Sequence, residues 1–253
     1  MHRSNFLLSL NTSLVPDVIG GDSLDLQIWY DLSDAATVST TSGKITAIAG
    51  KGFASVHDAN TSGAAARPTY LTASKNSLNT ADFDGNSDFL TVNPFTDFDD
   101  SALGGIPAYT MFVVCKFDTT ANQRLTETNA TGTSDLGFGI DASGNYEYHV
   151  GGGTAYGQAA DTNWHIHSFV FDGAQSNGSE LSARVDGTAV ALTESSAIGD
   201  TALANTSSVY IGSTPSGTLW FDGQMGEIIV FTRALNASEV GSVNTYLASK
   251  WAV

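Results

Sequence analysis

Residues 181–192, LSARVDGTAVAL, decide the fold class, because they hold the clearest hairpin signal in the chain. Segments 181–185 and 188–192 are short and apolar, and the Asp186-Gly187 pair between them tolerates positive φ. A two-residue loop of this composition matches the right-handed twist of the flanking strands. The stretch therefore predicts two paired antiparallel strands.

The rest of the chain repeats this alternation of short apolar segments and turn clusters. Three further Asp-Gly pairs suited to turns begin at Asp84, Asp172 and Asp222. Such spacing is typical of an antiparallel β sandwich in one large domain. The predicted strands are 24–30, 44–48, 79–83, 88–92, 109–117, 136–140, 145–150, 165–171, 181–185, 188–192, 208–212 and 221–231.

One helix is predicted near the end of the sequence. Asn236 can cap it, and Glu239 completes a capping-box pattern. The following apolar residues share one helical face and are expected to pack on the sandwich: Val240, Val243, Leu247 and Trp251. Trp29 and Trp164 are also assigned to the core.

The composition excludes most readers of nucleic acid. The 253 residues include 26 acidic and 10 basic side chains, so the formal charge is 10 − 26 = −16. A duplex-binding surface gains affinity by neutralising phosphates with Lys and Arg, and the few basic residues form no cluster. The one cysteine, Cys115, lies in an apolar run, so it is expected to be buried and cannot form an intrachain disulfide.

Residues 1–20 are predicted to form an arm that precedes a single domain, residues 21–253. The residues expected to anchor this arm are Phe6, Leu7, Leu8 and Leu10. This apolar run is too short for a signal peptide, and no stretch reaches the roughly 18 to 20 apolar residues that span a bilayer. We expect synthesis in a cytoplasm and an arm held by another subunit.

Further segments occur in the order that one family shows. They are 29–31 (WYD), 67–70 (RPTY), 81–90 (ADFDGNSDFL), 109–117, 164–173, 184–187 (RVDG) and 223–231 (GQMGEIIVF). With them the chain resembles the concanavalin A-like lectin/glucanase superfamily, in particular its laminin-G-like jelly-roll branch. The resemblance implies an all-β, two-sheet antiparallel jelly-roll sandwich with one C-terminal α-helix and an N-terminal arm. Members include lectins, glycosidases, polysaccharide lyases and non-enzymatic surface modules, so the fold leaves the function open.

Cleavage of a glycosidic bond ordinarily needs two carboxyl groups about 5 to 9.5 Å apart. The Glu-x-Asp-x-Glu type strand of glucanases in this superfamily does not occur in the sequence. The glutamates are well separated, and only Glu147 and Glu227 lie in predicted strands. Glu227 is expected to form a structural pair, with Arg233 as the candidate partner. We therefore predict no catalytic residues and a protein that is not an enzyme.

Two patterns imitate metal ligands. His165 and His167 point to the same side of a strand, but a catalytic site needs a third protein ligand and none is near in sequence. One hydrogen-bonded imidazole and one at the surface is the favoured interpretation. Residues 82–88 alternate oxygen-bearing side chains as a calcium loop does, yet a hairpin turn explains them better. No metal is predicted, although the resemblance implies that calcium can bind at backbone carbonyls elsewhere.

Carbohydrate binding needs aromatic rings that stack on sugar faces, with polar groups around them. The candidate rings are Tyr146 and Tyr148, which share one face of a predicted strand, and Tyr156 and Trp220, which lie beside Gly-rich or turn segments. A place in the core is the alternative for each of the four.

The leading hypothesis is a non-enzymatic structural module displayed on a bacteriophage virion, as a head decoration (cement) protein or a tail appendage. An apolar arm and the lack of an export signal motivate it. It implies capsid or tail subunits as partners, a homo-oligomer, cell-surface polysaccharide as a candidate ligand, and no nucleic acid. A bacterial lectin or carbohydrate-binding module is the second hypothesis, and a glycosidase or polysaccharide lyase is the third.

Overall fold

The structure, a computed structural model, describes residues 25–52, 57–61, 63–93, 108–128, 136–150, 153–176, 178–196, 198 and 208–253. The predicted arm, residues 1–20 with its four anchoring residues, lies outside the described residues. Within them, antiparallel strands dominate and one helix follows near the end of the sequence. The predicted all-β fold with a C-terminal helix is confirmed.

The described part of the chain forms eighteen strands and one α-helix. The first nine strands are β1 (Leu26–Asp31), β2 (Val38–Thr41), β3 (Lys44–Ile48), β4 (Ala59–Asn60), β5 (Thr69–Lys75), β6 (Leu78–Asp84), β7 (Leu90–Val92), β8 (Ala108–Phe117) and β9 (Gln123–Thr128). The other elements are β10 (Gly137–Ile140), β11 (Asn145–Val150), β12 (Gly153–Ala159), β13 (Trp164–Asp172), β14 (Leu181–Val185), β15 (Thr188–Val190), β16 (Thr193–Ser196), β17 (Val209–Ile211), β18 (Asp222–Phe231) and α1 (Ala237–Trp251).

Two antiparallel layers form the sandwich. Sheet A has the order β15-β14-β13-β8-β18, and the far edge of β18 pairs with β1 along one part and with β6 along another, with β5 beyond β6. Sheet B has the order β2-β3-β4-β7-β17-β9-β10-β11-β12-β16. A pairing of Lys44 with Thr69 joins the two layers at one edge.

The main core lies between the two sheets. The ring centroids of Phe117 in sheet A and Phe138 in sheet B are 5.9 Å apart, and those of Phe169 and Tyr148 are 5.2 Å apart. Helix α1 covers the other face of sheet A, so β8 and β18 are buried on both faces. Double burial accounts for their continuous apolar runs. Cys115 of β8 is buried, as predicted.

Helix α1 begins with the predicted capping box. The Asn236 side chain accepts from the backbone N–H of Glu239, and the Glu239 carboxylate accepts from the backbone N–H of Asn236. The apolar stripe is buried against sheet A, and the core positions of Trp29 and Trp251 are confirmed. Trp164 is only partly buried and stacks on Trp251. No helix in the described part combines the length and the apolar character that a membrane crossing requires.

Six strands escape the sequence prediction: β2, β4, β5, β9, β12 and β16. They are short or polar, and a polar strand at a sheet edge or with a solvent-facing side lacks a clear apolar alternation. The Asp186-Gly187 hairpin is confirmed, with φ angles of 51° and 75°. Asp222 and the residue after it do not form the expected turn, because they begin β18 and pair with β6 and β8.

Candidate functional site

The outer face of sheet B, which turns away from the core, carries charged and aromatic side chains next to one another. In β11, Tyr146 and Tyr148 point into the core, and the alternate residues Glu147 and His149 point outward. Glu147 lies opposite Tyr156 of β12, so that ring also belongs to the outer face.

A β-bulge in β9 brings two more charged residues to this face. The pairing between β9 and β10 shifts by one residue next to Gly139, so that Leu125 is an extra residue in β9. Residues 124 and 127 would face opposite sides of a regular strand, but the bulge turns both outward. Arg124 and Glu127 therefore form an ion pair, with 2.9 Å between Nε and Oε2.

Strand β10 contributes no side chain to the outer face, because its outward residues are Gly137 and Gly139. A Cβ at Gly139 would lie 2.1 Å from the carbonyl oxygen of Gln123, so a larger residue does not fit. Arg124 can therefore reach across β10 to Glu147, and Nη1 and Oε2 are 2.8 Å apart. The ion pair is nearly covered, since the side chains of Arg124 and Glu147 are only 5% and 9% exposed, whereas Glu127 is 15% exposed.

Arg124 joins two carboxylates on one face. Glu127 and Glu147 are far apart in sequence and were expected to stay separate, but both lie within ion-pair distance of this guanidinium. Burial alone would raise the pKa of Glu147; the hydrogen bond from His149 and the charge of Arg124 outweigh it, so the pKa is lowered. Glu147 is therefore a carboxylate at neutral pH.

Three partly exposed aromatic rings lie next to these charges. The ring centroids of Phe89 and Tyr210 are 6.1 Å apart, and those of Phe89 and Trp220 are 5.9 Å apart. Tyr210 of β17 is the cross-strand neighbour of Glu127 in β9. Because cross-strand neighbours on one face lie close together, the aromatic group continues directly into the charged network.

The structure corrects two of the four predicted glycan-binding residues. Tyr146 and Tyr148 are 1% and 0% exposed, because their side of β11 faces sheet A, and a sugar cannot stack on them. Tyr156 and Trp220 are both partly exposed, and their predicted contact with glycan stays a prediction. Tyr156 lies on the same face as Glu147, whereas Trp220 belongs to the aromatic group around Phe89.

Sequence reasoning missed four residues of this surface: Phe89, Arg124, Glu127 and Tyr210. The sequence does contain a signal for Tyr210, because the apolar residues Val209 and Ile211 on either side of it are buried and the period of two places its ring on the opposite face. No such signal exists for Arg124 and Glu127, since their spacing of three residues indicates opposite faces of a strand unless the bulge is known.

Glu227 forms the predicted structural pair, but not with Arg233. It is 1% exposed and accepts hydrogen bonds from Trp29 Nε1 at 2.7 Å and Trp251 Nε1 at 2.8 Å. Its charged partner is Lys250, with 2.7 Å between Nζ and Oε2. Arg233 does not contact Glu227 and instead forms ion pairs with Asp25 and Glu239, which lie near the two ends of the domain in sequence. The sequence could not show which basic side chain α1 brings to Glu227.

The two histidines of β13 have separate environments. His165 contacts Asp186 at 2.7 Å and Asp161 at 3.0 Å, so one hydrogen-bonded imidazole is present as predicted. The other imidazole was expected at the surface, but His167 is fully buried between aromatic rings. Asp84 accepts three backbone N–H bonds in its own turn, as a turn residue does. The hairpin predicted there is wrong, because the turn leads from β6 in sheet A to β7 in sheet B and these strands pair with other strands. Among the described residues, no group of three or more His, Cys, Asp or Glu side chains could hold a metal ion.

The fold and this surface define a sandwich of lectin type with one charged, aromatic outer face. The chain belongs to the concanavalin A-like lectin/glucanases superfamily, whose laminin-G-like family pattern matches residues 84–241. The resemblance inferred from the sequence is thereby confirmed. No curated protein matches the sequence closely enough to count as a relative.

Solved structures share the fold at low identity. Trypanosoma rangeli sialidase in complex with sialic acid superposes with a TM-score of 0.59 at 16% identity over 89% of this chain, which spans 33% of the sialidase chain. Domain 4 of an extracellular GH43 arabinanase from Geobacillus stearothermophilus, in complex with arabinotriose, gives a TM-score of 0.54 at 14% identity and covers 87% of this chain and 98% of that domain. These similarities establish the fold alone.

Proposed function

We propose that this protein is a non-enzymatic glycan-binding module and that the outer face of sheet B is its sugar-binding surface. The observation that carries the proposal is a group of three partly exposed rings, Phe89, Tyr210 and Trp220, beside the partly exposed Glu127, which is the cross-strand neighbour of Tyr210. Aromatic rings bind the apolar faces of sugars, and fixed charged groups bind hydroxyls and set orientation.

The charge of the surface favours a neutral glycan. Arg124 is shared between Glu127 and Glu147, so the guanidinium is occupied and one negative charge is left over. An acidic sugar would meet this charge and the −16 of the whole chain. The arabinanase domain of similar fold, seen with arabinotriose, is consistent with a short neutral oligosaccharide as ligand.

Titration calorimetry with neutral oligosaccharides, chosen from a glycan array, tests the proposal. We expect Tyr210→Ala and Trp220→Ala each to weaken binding at least about tenfold, equal to about 1.4 kcal/mol, without loss of fold. Trp164→Ala is the matched control, because this partly exposed ring lies on the opposite, helix-covered side of the sandwich. An array with no retained glycan, or equal affinity in all three variants, would refute the assignment.

A glycosidase or lyase is the second candidate, and the shared face of Glu127 and Glu147 is the observation that favours it. A general acid needs a raised pKa, whereas the pKa of Glu147 is lowered. We therefore prefer binding. Release of reducing sugar from polysaccharide by the wild type, with loss of release in Glu147→Gln and not in Glu227→Gln, would instead establish the enzyme.

We further propose that the module is displayed on the surface of a bacteriophage virion, with residues 1–20 as its anchor. The support is the apolar run from Phe6 to Leu10 in a chain that is otherwise strongly acidic. Deletion of residues 2–20 should abolish incorporation into particles while the far-ultraviolet circular dichroism of the sandwich is retained. Unchanged incorporation would contradict the anchor, and glycan binding would be unaffected by that result.

A further inference from the structure

A concave site lies on the opposite side of the molecule from the outer face of sheet B. It is a cleft of about 310 Å³ between helix α1, the strands β13 and β14, and the Asp186-Gly187 turn that follows β14. Ile166 of β13, Arg184 of β14 and Asp186 of the hairpin turn form one wall. Gly241, Asn244 and Thr245 belong to the helical wall. Its volume is at the lower end of ligand pockets, roughly 300 to 1,000 Å³, so its occupant is small.

The cleft exists because the helix presents small residues where it crosses the hairpin. A Cβ added at Gly241 would meet no atom within 4 Å, so the space beside the helix is open at that point. On another face of the helix, Val240 and Val243 are buried against sheet A and hold the helix in place. The walls are therefore a packed helix and a paired hairpin.

Asn244 supplies a buried acceptor without a partner. The residue is 7% exposed, and its Nδ2 donates to the carbonyl oxygen of Val240 at 3.0 Å and to Ser168 Oγ at 3.2 Å. A carbonyl can only accept, so this contact fixes which end of the amide carries the nitrogen. Oδ1 has no hydrogen-bond donor among the described residues. Buried polar atoms are nearly always satisfied, so this oxygen is an acceptor that a donor group of a ligand can use.

The opposite wall offers donors and acceptors whose charges cancel. Arg184 Nη1 donates to the carbonyl oxygen of Gly187 at 3.2 Å. A guanidinium has five N–H groups, so others can donate to a ligand. Asp186 accepts from the backbone N–H of Ile166 at 2.8 Å and contacts His165 at 2.7 Å. A carboxylate can accept further bonds after these two. The site thus combines one positive charge, one negative charge and a neutral amide.

We propose that this cleft binds a small, neutral, polyhydroxylated molecule, of which one sugar unit is the simplest case. A hydroxyl group both donates and accepts, so one ligand hydroxyl can donate to Asn244 Oδ1 while others accept from Arg184. An anion would gain from Arg184 but would be opposed by Asp186 and by the net charge of −16. The site is separate from the outer face of sheet B and does not depend on the function proposed for it.

The test is an NMR titration of the ¹⁵N-labelled full chain with glucose, galactose, arabinose and glycerol, with glucuronate as the anionic probe. We expect a neutral probe to shift the amide signals of Gly187, Gly241 and Thr245. Gly241→Leu fills the open space and should weaken that response at least tenfold. Ser249→Leu is the matched control, because Ser249 is exposed on the same helix and does not line the cleft.

Three results would overturn the proposal: no shift at these amides with any neutral probe, a shift with glucuronate alone, or an unchanged response in Gly241→Leu. If Gly241→Leu fails to fold, Gly241→Ala replaces it, since alanine is favoured over glycine inside a helix. Asn244→Ala should weaken the same response. Shifts at Glu127 and Tyr210 report the outer face separately, so failure at one site is distinguishable from failure at the other.

Discussion

At the scale of single residues, Glu227 connects strand β18 with helix α1. Its carboxylate lies under the helix and accepts hydrogen bonds from two tryptophans, Trp29 and Trp251. Burial raises its pKa, and the charge of Lys250 lowers it in part. Two charged groups at 2.7 Å, one of them fully buried, stabilise the native state only while both are present.

Glu227→Gln is therefore expected to lower the free energy of unfolding by about 1 to 3 kcal/mol, because an amide nitrogen replaces one of the two oxygens that accept from Trp29 and Trp251, while Lys250 keeps Asp31 as a partner at 2.7 Å. Urea unfolding followed by tryptophan fluorescence measures this. Glu194→Gln on the exposed strand β16 is the control and should change stability by less than about 0.5 kcal/mol. A Glu227→Gln protein as stable as this control would show that packing alone holds the helix.

His165 and His167 predict opposite pH dependences from neighbouring positions. The Asp186 hydrogen bond raises the pKa of His165, so its stabilisation is present below pH 6.5 and is lost as the pH rises through the raised pKa. Burial lowers the pKa of His167 to about 3, so stability falls as the pH drops below 6.5.

We expect the stability of the wild type relative to His167→Phe to fall by about 1.4 kcal/mol per pH unit below pH 6.5. Relative to His165→Gln, the stability of the wild type should instead increase as the pH falls from the raised pKa of His165 to about pH 6.5, and should stay constant below that pH. Urea unfolding between about pH 5 and pH 7.5 compares each variant with the wild type at each pH. Slopes of the same sign for both variants would contradict the assignment.

At the scale of elements, the helix and the long strands could be predicted and the polar strands could not. The capping residues Asn236 and Glu239 and a stripe of apolar residues predict α1. A continuous apolar run predicts β8, and the run is apolar because both faces of this strand are covered. β9 (QRLTET) contains a single strongly apolar residue, Leu125, and it is the bulged one. Its strand character depends on neighbours that come from distant parts of the sequence.

Trp251→Ala should therefore cost more than any other truncation in the helix stripe. The ring is 0% exposed, packs over Gly226 and donates to Glu227, so we expect a loss of about 3 to 5 kcal/mol. Trp164→Ala removes a partly exposed ring from the same stack and should cost less. Thermal and urea unfolding provide the comparison, and equal costs for the two tryptophans would be inconsistent with the packing described.

At the scale of the whole molecule, the outer face of sheet B is assembled from strands that are remote in sequence. Phe89, Arg124, Glu147 and Tyr210 come from four segments and meet because of sheet register. The sequence predicted the sandwich, since apolar alternation and turn residues are local properties. It could not place this surface, because register between distant strands and the bulge at Leu125 are not local properties.

The net charge of −16 also affects the whole molecule, and several of the acidic side chains lie close enough to repel one another. Asp82 and Asp222 both have raised pKa values, first because of burial and then because each is repelled by Asp118. Burial and the charge of Asp84 raise the pKa of Asp88 to about 6. Such self-repulsion weakens the compact state, and salt screens it.

Raising the salt from about 10 mM to about 150 mM shortens the screening length from roughly 30 Å to 8 Å. We therefore expect the melting temperature at pH 7.5 to increase by about 2 to 4 °C, the shift that about 1 kcal/mol produces in a domain of this size. In Asp222→Asn the increase should be smaller, because one of the repelling charges has been removed from the cluster. A melting temperature that falls with added salt would mean that attractive pairs, such as those of Arg124 and Lys250, outweigh the repulsion, since the same ions screen both.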